Sequence, residues 1–245
     1  MNITTDYLFE LIYEDNNLLV INKPADLVCH PTKGDVYSSL ISRARLHLDQ
    51  TNTVHMINRL DRETSGIVLV AKNDETAKEL RQLWESGYEH KSYDAIVHGH
   101  MKLDSDTIDA PLGRNAASRV AIKDCVRPDG RPSKTCFTVT KRFSRSEGNF
   151  SLLEVRPATG RKHQIRIHLA HIGHPIVGDK LYGHDEDCYL ALVERRLTNE
   201  QKKQLILPCH ALHAKELNFD WRGKKWRFKA RSEEWFRNFI ATYSA

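Results

Sequence analysis

Apolar positions fall along the chain in short segments whose spacing switches repeatedly between that of a strand and that of a helix. LLVINKP, Leu18 to Pro24, reads as a strand closed by proline, and SLISRARLHL, Ser39 to Leu48, has the apolar spacing of a short helix. IVLVAK, Ile67 to Lys72, is β-branched enough for a central strand. Asp74 stands where it would cap a helix whose Ala77, Leu80, Leu83 and Trp84 share one face and which Gly87 stops. SYDAIVHG (Ser92 to Gly99), FTVTKRF (Phe137 to Phe143) and FSLLEVRP (Phe150 to Pro157) predict three more strands, with a connector rich in Gly, Pro and basic residues from Pro111 to Thr135. RKHQIRIHLAHI, Arg161 to Ile172, predicts a helix ended by Gly173 and Pro175. Ile165, Leu169 and Ile172 would face the core, and Arg166 lies at the border of that stripe, where a guanidinium can enter a cleft. The C-terminal part predicts a basic hairpin around Gly223 and a helix capped by Ser232 with an apolar stripe of Trp235, Phe236, Phe239, Ile240 and Tyr243. Together these elements predict an α+β fold with a largely antiparallel mixed sheet flanked by helices and loops.

Neither an internal repeat nor a low-complexity linker interrupts the pattern, which predicts one domain over residues 1–245. At 245 residues and 40% hydrophobic content, the chain can enclose a full core. No run approaches the roughly 18 apolar residues of a membrane span, and the first residues carry acids where a signal peptide has basic ones. A cytoplasmic protein with no membrane partner is expected. The five cysteines are odd in number and scattered, which suits reduced thiols better than a disulfide framework or a zinc site. The net charge of +5 favours a polyanionic partner but is common among proteins that have none.

Candidate chemistry concentrates in INRLDRETSGIVLVAK, Ile57 to Lys72. Asp61 sits between Arg59 and Arg62 on a segment without apolar periodicity, a loop leading straight into the strand at Ile67. Flanking guanidinium groups favour the ionised carboxylate. A structural Asp–Arg pair accounts for the pattern by itself, yet an ionised, fixed carboxylate is also what a nucleophile requires. A second concentration, His163, His168, His171 and His174, is dense enough to suggest a metal; such histidines also support backbone through hydrogen bonds.

Several segments in order resemble the RluA-type pseudouridine synthases, and the likeness runs through most of the chain. YEDNNLLVINKPADLVCHP (Tyr13 to Pro31) is similar to the family's opening motif, and NRLDRETSGIVLVAKN (Asn58 to Asn73) to its catalytic motif. KSYDAIVHG (Lys91 to Gly99) resembles the tyrosine motif. TGRKHQIRIHLAHIGHPIVGDKLYG (Thr159 to Gly183) resembles the arginine motif, and HALHAKELNF (His210 to Phe219) the closing strand.

The resemblance implies the pseudouridine synthase fold, with an active-site cleft across the sheet. It also implies an isomerase that turns specific uridines of ribosomal or transfer RNA into pseudouridine, with neither cofactor nor metal. Under it, Asp61 is the covalent catalyst, Arg166 pairs with and orients that acid, and Tyr93 stacks on the uracil. A stacked base is out of reach, so the target is flipped out, and Arg59 fills the space it leaves. Arg62, Arg161 and Lys162 are candidates for phosphate contacts or for plain surface solvation. The segments GRNAASR, RPDGRPSK and RGKKWRFKAR read equally as RNA-contacting or as solvated connectors. One departure is Asn58, where the family commonly has histidine; altered loop support is expected rather than lost activity. The chain starts almost at the opening motif, so no N-terminal accessory RNA-binding domain is expected, and a monomer is the simplest state.

Two other classes compete with the isomerase: a non-catalytic RNA-binding or RNA-folding protein on the same scaffold, and a metal-dependent hydrolase using the histidine cluster. Pseudouridine formation in excess chelator separates the last from the first. Full activity is expected, and it would sink the hydrolase.

Overall fold

The computed structural model describes residues 9–31, 39–48, 53–183 and 185–241. Chain contacts divide it into two compact units, each assembled from two stretches of sequence: residues 1–91 with 213–234, and residues 92–212 with 235–245.

The first unit is organised around an apolar strand. Strand β1 (Glu10–Glu14) pairs antiparallel with β2 (Leu18–Lys23), in which every side chain is buried. Helix α1 (Leu40–His47) is capped by Ser39, whose hydroxyl accepts from Ser42 N. A two-residue strand β3 (His55–Met56) precedes β4 (Ser65–Ala71), and β4 is buried along its whole length, as its run of β-branched residues leads one to expect. β2 lines one edge of β4, and β3 pairs with its end at Val70 and Ala71.

Helix α2 (Asp74–Ser86) follows and buries Ala77 and Leu80, with Leu83 and Trp84 packed at the margin of the same core. Its cap is Asn73 rather than the expected Asp74. Asn73 has the extended backbone of a cap and accepts from Thr76 N at 2.9 Å, while Asp74 becomes the first helical residue, where its charge complements the helix dipole. Gly87 ends the helix in the left-handed conformation.

The second unit carries β5 (His90–His98), β6 (Ser105–Asp109), a ribbon of β7 (Leu112–Arg114) and β8 (Asp124–Val126), and two long strands, β9 (Lys134–Arg145) and β10 (Gly148–Pro157). β10 pairs antiparallel with both β5 and β9, and β9 with β6. Helix α3 (Gln164–His171) lays Ile165 and Leu169 on this core.

Helix α3 is shorter than the periodicity predicts at both ends. His163 adopts a left-handed backbone with φ +56° and breaks the N-terminal extension, so Arg161 and Lys162 belong to a turn. Ile172 is the C-terminal cap and is 37% exposed; turned off the helix, it does not join the core face. Short helices α4 (Asp187–Val193) and α5 (Asn199–Leu205) follow, the latter opened by a capping box between Thr198 and Gln201.

The chain then returns to the first unit, where β11 (Leu212–Trp221) meets the start of β4 in parallel, Ala214 opposite Gly66. A tight turn at Arg222 and Gly223, both at positive φ, joins it to β12 (Lys224–Lys229), as the sequence predicts. Helix α6 (Glu234–Ile240) starts one residue later than a Ser232 cap requires. It brings Phe236 and Phe239 into the core of the second unit, with Trp235 and Ile240 at its margin; Tyr243 lies outside the described residues. All five cysteines are free thiols. No helix among the described residues is long and apolar enough to cross a membrane.

Gly66 marks the tightest constraint near the candidate loop. Its φ is +112°, and a Cβ there would stand 2.3 Å from the Ala214 carbonyl oxygen. Gly66→Ala therefore combines backbone strain with a clash against backbone that cannot rotate away. A loss of at least about 2 kcal/mol is expected, read as a lowered midpoint in urea; an unchanged midpoint would show that β4 and β11 separate freely.

Candidate active site

Asp61 lies on the loop between β3 and β4, and the loop's backbone is gripped by side chains from elsewhere in the first unit. Asn58 begins the grip. Its Nδ2 donates to Ile67 O at 3.0 Å and its Oδ1 accepts from Leu69 N at 2.8 Å, so the amide acts as a short extra strand partner for β4. A neutral imidazole likewise offers one donor and one acceptor, while the Asn58 amide carries no titratable ring. Next, the Cys29 thiol bridges both polar groups of Leu60, donating to its carbonyl at 3.3 Å and accepting from its N–H at 3.4 Å. Burial pushes that thiol's pKa up, so it stays protonated and keeps its donor role. Beyond Asp61, the Arg62 carbonyl accepts from Lys23 Nζ at 3.0 Å, and the Asp61 carbonyl accepts from Thr64 N at 3.1 Å.

The nucleophile candidate is thus half-buried on a backbone tied at the residues before and after it. Arg59 and Arg62 are exposed. Arg62 Nε donates to Asp26 at 2.7 Å, a salt bridge with a turn residue remote in sequence. Both groups of that pair are more than half exposed, which makes it worth little in stability.

The remaining candidates belong to the second unit. Tyr93 sits in β5 opposite Val155 of β10, half-buried at the margin of the core cluster that includes Ile165 and Leu169. Arg161 and Lys162 are exposed; Lys162 Nζ is 2.9 Å from Asp124. Arg166 is only 6% exposed. Its Nε and Nη2 donate to the two carboxylate oxygens of Asp179 at 2.7 and 2.9 Å, a side-on bidentate pair, and its guanidinium carbon lies 5.0 Å from the centre of the Tyr182 ring. Asp179 is a functional candidate that sequence reasoning did not single out. It stands 13 positions beyond Arg166 in a turn, where no periodicity connects the two, and only its place in VGDKLYG hinted at it.

Three of the four clustered histidines make protein hydrogen bonds, and His171 is exposed. His168 Nε2 donates to the Ala110 carbonyl at 2.9 Å, which leaves Nδ1 to accept from Thr135 Oγ1 at 2.8 Å. Burial lowers its pKa and keeps that neutral tautomer. His163 Nδ1 is 2.9 Å from the Tyr182 hydroxyl, and His174 Nδ1 donates to the His98 carbonyl at 2.8 Å. Among the described residues, no group of three or more His, Cys, Asp or Glu side chains is placed to hold a metal ion.

Asp179 also sets an acid limit on stability. Burial alone would raise its pKa, but the Arg166 charge and hydrogen bonds, with His210 nearby, override burial and hold it well below the ordinary carboxylate range. The unfolded chain therefore takes up this proton first, near pH 3.9. The stabilisation is complete above that value and falls as the pH drops toward the folded pKa. Asp179→Asn is expected to lose stability at neutral pH and to show a shallower decline of unfolding free energy between about pH 4 and pH 2.5 than the wild type. Parallel declines in denaturant titrations would mean the pair does not couple to folding.

The family model for RNA pseudouridylate synthase matches residues 17–171, a span that contains Arg59, Asp61, Arg62, Tyr93, Arg161, Lys162 and Arg166. The dual-specificity RNA pseudouridine synthase RluA of Vibrio parahaemolyticus is 34% identical over 220 residues, which cover 89% of this chain and 80% of that protein. A Bacillus subtilis protein named as the uncharacterized RNA pseudouridine synthase YlyB is 34% identical over 217 residues. The match covers 86% of this chain and 64% of that relative, so the chain spans somewhat under two thirds of its length. Among solved structures, human RNA pseudouridylate synthase domain containing 1 superposes with a TM-score of 0.74 over 91% of this chain and 83% of its own, at 24% identity, and so shares the fold. The α+β architecture and the family model agree, and the chain belongs to the RNA pseudouridylate synthase family, in its RluA-type branch.

Proposed function

We propose that this protein isomerises specific uridines of ribosomal or transfer RNA to pseudouridine, with residues 1–245 serving as one catalytic domain and Asp61 as the nucleophile. The observation that carries the reading is the family match over residues 17–171, within which an aspartate stands on a loop whose backbone is held on both sides. The reaction breaks the bond between the ribose and the ring nitrogen and forms one from the ribose to ring carbon five. The proton lost from that carbon is balanced by the one gained at the nitrogen, so no oxidant, reductant or co-substrate is required. A carboxylate that attacks either the ring or the sugar must be ionised and aimed, and a loop held at Leu60 and Arg62 supplies the aim.

Tyr93 is assigned to stack on the flipped uracil, an interaction worth about 1–3 kcal/mol for a base on an aromatic ring. Arg166 is assigned to orient the Asp61 carboxylate, and Arg59, exposed on the same loop as Asp61, to occupy the space the base vacates. Arg62, Arg161 and Lys162 are exposed cations suited to phosphate oxygens; for Arg62 and Lys162 that use exchanges an existing ion pair with Asp26 or Asp124. RNA is the partner, and a cytoplasmic monomer is the state in which we place the enzyme.

The test is a transcriptome-wide pseudouridine map of cells lacking the gene, complemented with wild type or Asp61→Ala. One or more sites should vanish, return with wild type and stay absent with Asp61→Ala. The purified Asp61→Ala protein should lose roughly 10³-fold or more of the rate while RNA affinity changes little. If no site changes under any growth condition, the isomerase reading fails and a non-catalytic RNA-binding role on this scaffold becomes the better account.

A further inference from the structure

Three basic side chains of the first unit are gathered by backbone hydrogen bonds on the flank of the Asp61 loop. Helix α1 starts against the segment that carries His30: Val28 bridges Ser39, Leu40 N donates to the Val28 carbonyl at 2.8 Å, and Ile41 N donates to the Cys29 carbonyl at 3.1 Å. Arg45 stands one helical turn beyond Ile41 on the same side of α1 and is exposed. The Cys29 thiol ties the same segment to both polar groups of Leu60. His30 follows Cys29 and Arg59 precedes Leu60, so that one tie brings both beside the loop, close in sequence to Asp61.

The three groups act on one another. The part of the His30 ring that is covered, and the charges of Arg59 and Arg45 beside it, hold its pKa below the ordinary histidine value. At neutral pH the ring is therefore uncharged and keeps one N–H to donate. Other cations of this unit are given acids: Lys72 Nζ is 2.8 Å from Glu14, Arg222 Nε 2.9 Å from Glu79 and Arg227 Nε 2.9 Å from Glu216. Among the described residues, no carboxylate is paired with Arg45 or with His30. The fold thus holds like charges together, which is unfavourable until an anion arrives, and leaves their donors open. Guanidinium forks match the oxygens of a phosphate, and the place beside the candidate nucleophile is one that a bound RNA strand must pass.

We propose that His30 and Arg45, with Arg59 at the border, form a binding site for a backbone phosphate of the RNA strand that carries the target uridine. The proposal rests on the function given above and adds to it the groups that register the strand against the nucleophile loop. Phosphate contacts position a strand without reading its sequence, so the site serves whichever uridine is the target.

The experiment uses the full chain and, as substrate probe, total RNA from cells lacking the gene. Single-turnover rates are read at a site that wild type modifies and Asp61→Ala does not, over a range of potassium chloride concentrations. Arg45→Gln is expected to raise the half-saturating enzyme concentration by about 3- to 10-fold with the maximal rate within about twofold of wild type, and to lower the slope of log half-saturation against log salt by about 0.7 to 0.9. Arg45→Lys keeps the charge and should restore the slope. His30→Ala removes an uncharged donor, so it should raise half-saturation by about 2- to 5-fold and leave the slope as it is. Arg196→Gln removes an exposed charge that is paired with Glu194 and should move neither quantity. Circular dichroism establishes that each variant is folded; should Arg45→Gln fail to fold, His30→Ala carries the test. A folded Arg45→Gln with wild-type slope and half-saturation would overturn the proposal, and so would an equal shift in Arg196→Gln, which would reduce the effect to overall charge. Absence of pseudouridine with wild type would defeat the assignment of the reaction instead. The slope is then read from equilibrium binding of the same RNA, where its loss in Arg45→Gln would keep the phosphate site and an unchanged slope would sink it.

Discussion

Lys23 has no exposed side-chain surface, and its ammonium donates to the carbonyls of Pro24, Leu27 and Arg62 at 2.8, 2.8 and 3.0 Å. A charge enclosed in this way is tolerable only if its protons are met, and the partners must then stay where they are. One of the three is the carbonyl one residue past Asp61. The requirement to satisfy a buried lysine at the end of β2 therefore restrains the loop on which the candidate nucleophile rides. Cys29 and Asn58 repeat the device with neutral groups, each clamping loop or strand backbone through a donor and an acceptor together. The loop lacks regular structure, yet its backbone polar groups are taken up by side chains at Leu60 and Arg62.

The second unit solves a related problem by different means. Arg166 is carried by helix α3, whose start is built by Gln164: Oε1 accepts from Arg161 N and Thr159 Oγ1, while Nε2 donates to Lys134 O and Thr135 Oγ1. Every polar atom of that side chain is used. The helix begins where it does because the left-handed His163 and the saturated Gln164 leave no earlier start, and this places Arg166 in its first turn, inside the protein. Asp179 and Tyr182 then hold the guanidinium. In both units a charged side chain is kept in place by enclosed hydrogen bonds rather than by surface ion pairs, and this makes their geometry insensitive to salt.

Much of this was legible in the chain. The all-apolar β4, the amphipathic α2 with its Gly87 stop, the hairpin at Gly223 and the thiol state of the cysteines follow from periodicity, turn chemistry and spacing. Errors were confined to ends: the cap of α2 moved by one residue, α3 lost its first turn, and Ile172 left the core face. These ends depend on a few backbone angles and single hydrogen bonds, to which an apolar pattern is blind. The neighbours of Asp61 in the sequence also gave no hint that Arg62 reaches Asp26, itself in a left-handed turn.

By itself the sequence determined which segments become strands and helices, which faces are apolar, and which ordered motifs mark the family, since all of these rest on local spacing and residue type. Tertiary structure alone decided the partners of the buried polar groups. Lys23 meets Arg62, Cys29 meets Leu60, Arg166 meets Asp179, and His168 spends both nitrogens on Ala110 and Thr135. Periodicity constrains where a side chain points relative to its own element. It does not specify which distant donor or acceptor will be folded against it, and in a closely packed interior that partner decides whether a charge becomes a structural tie or an aimed reagent.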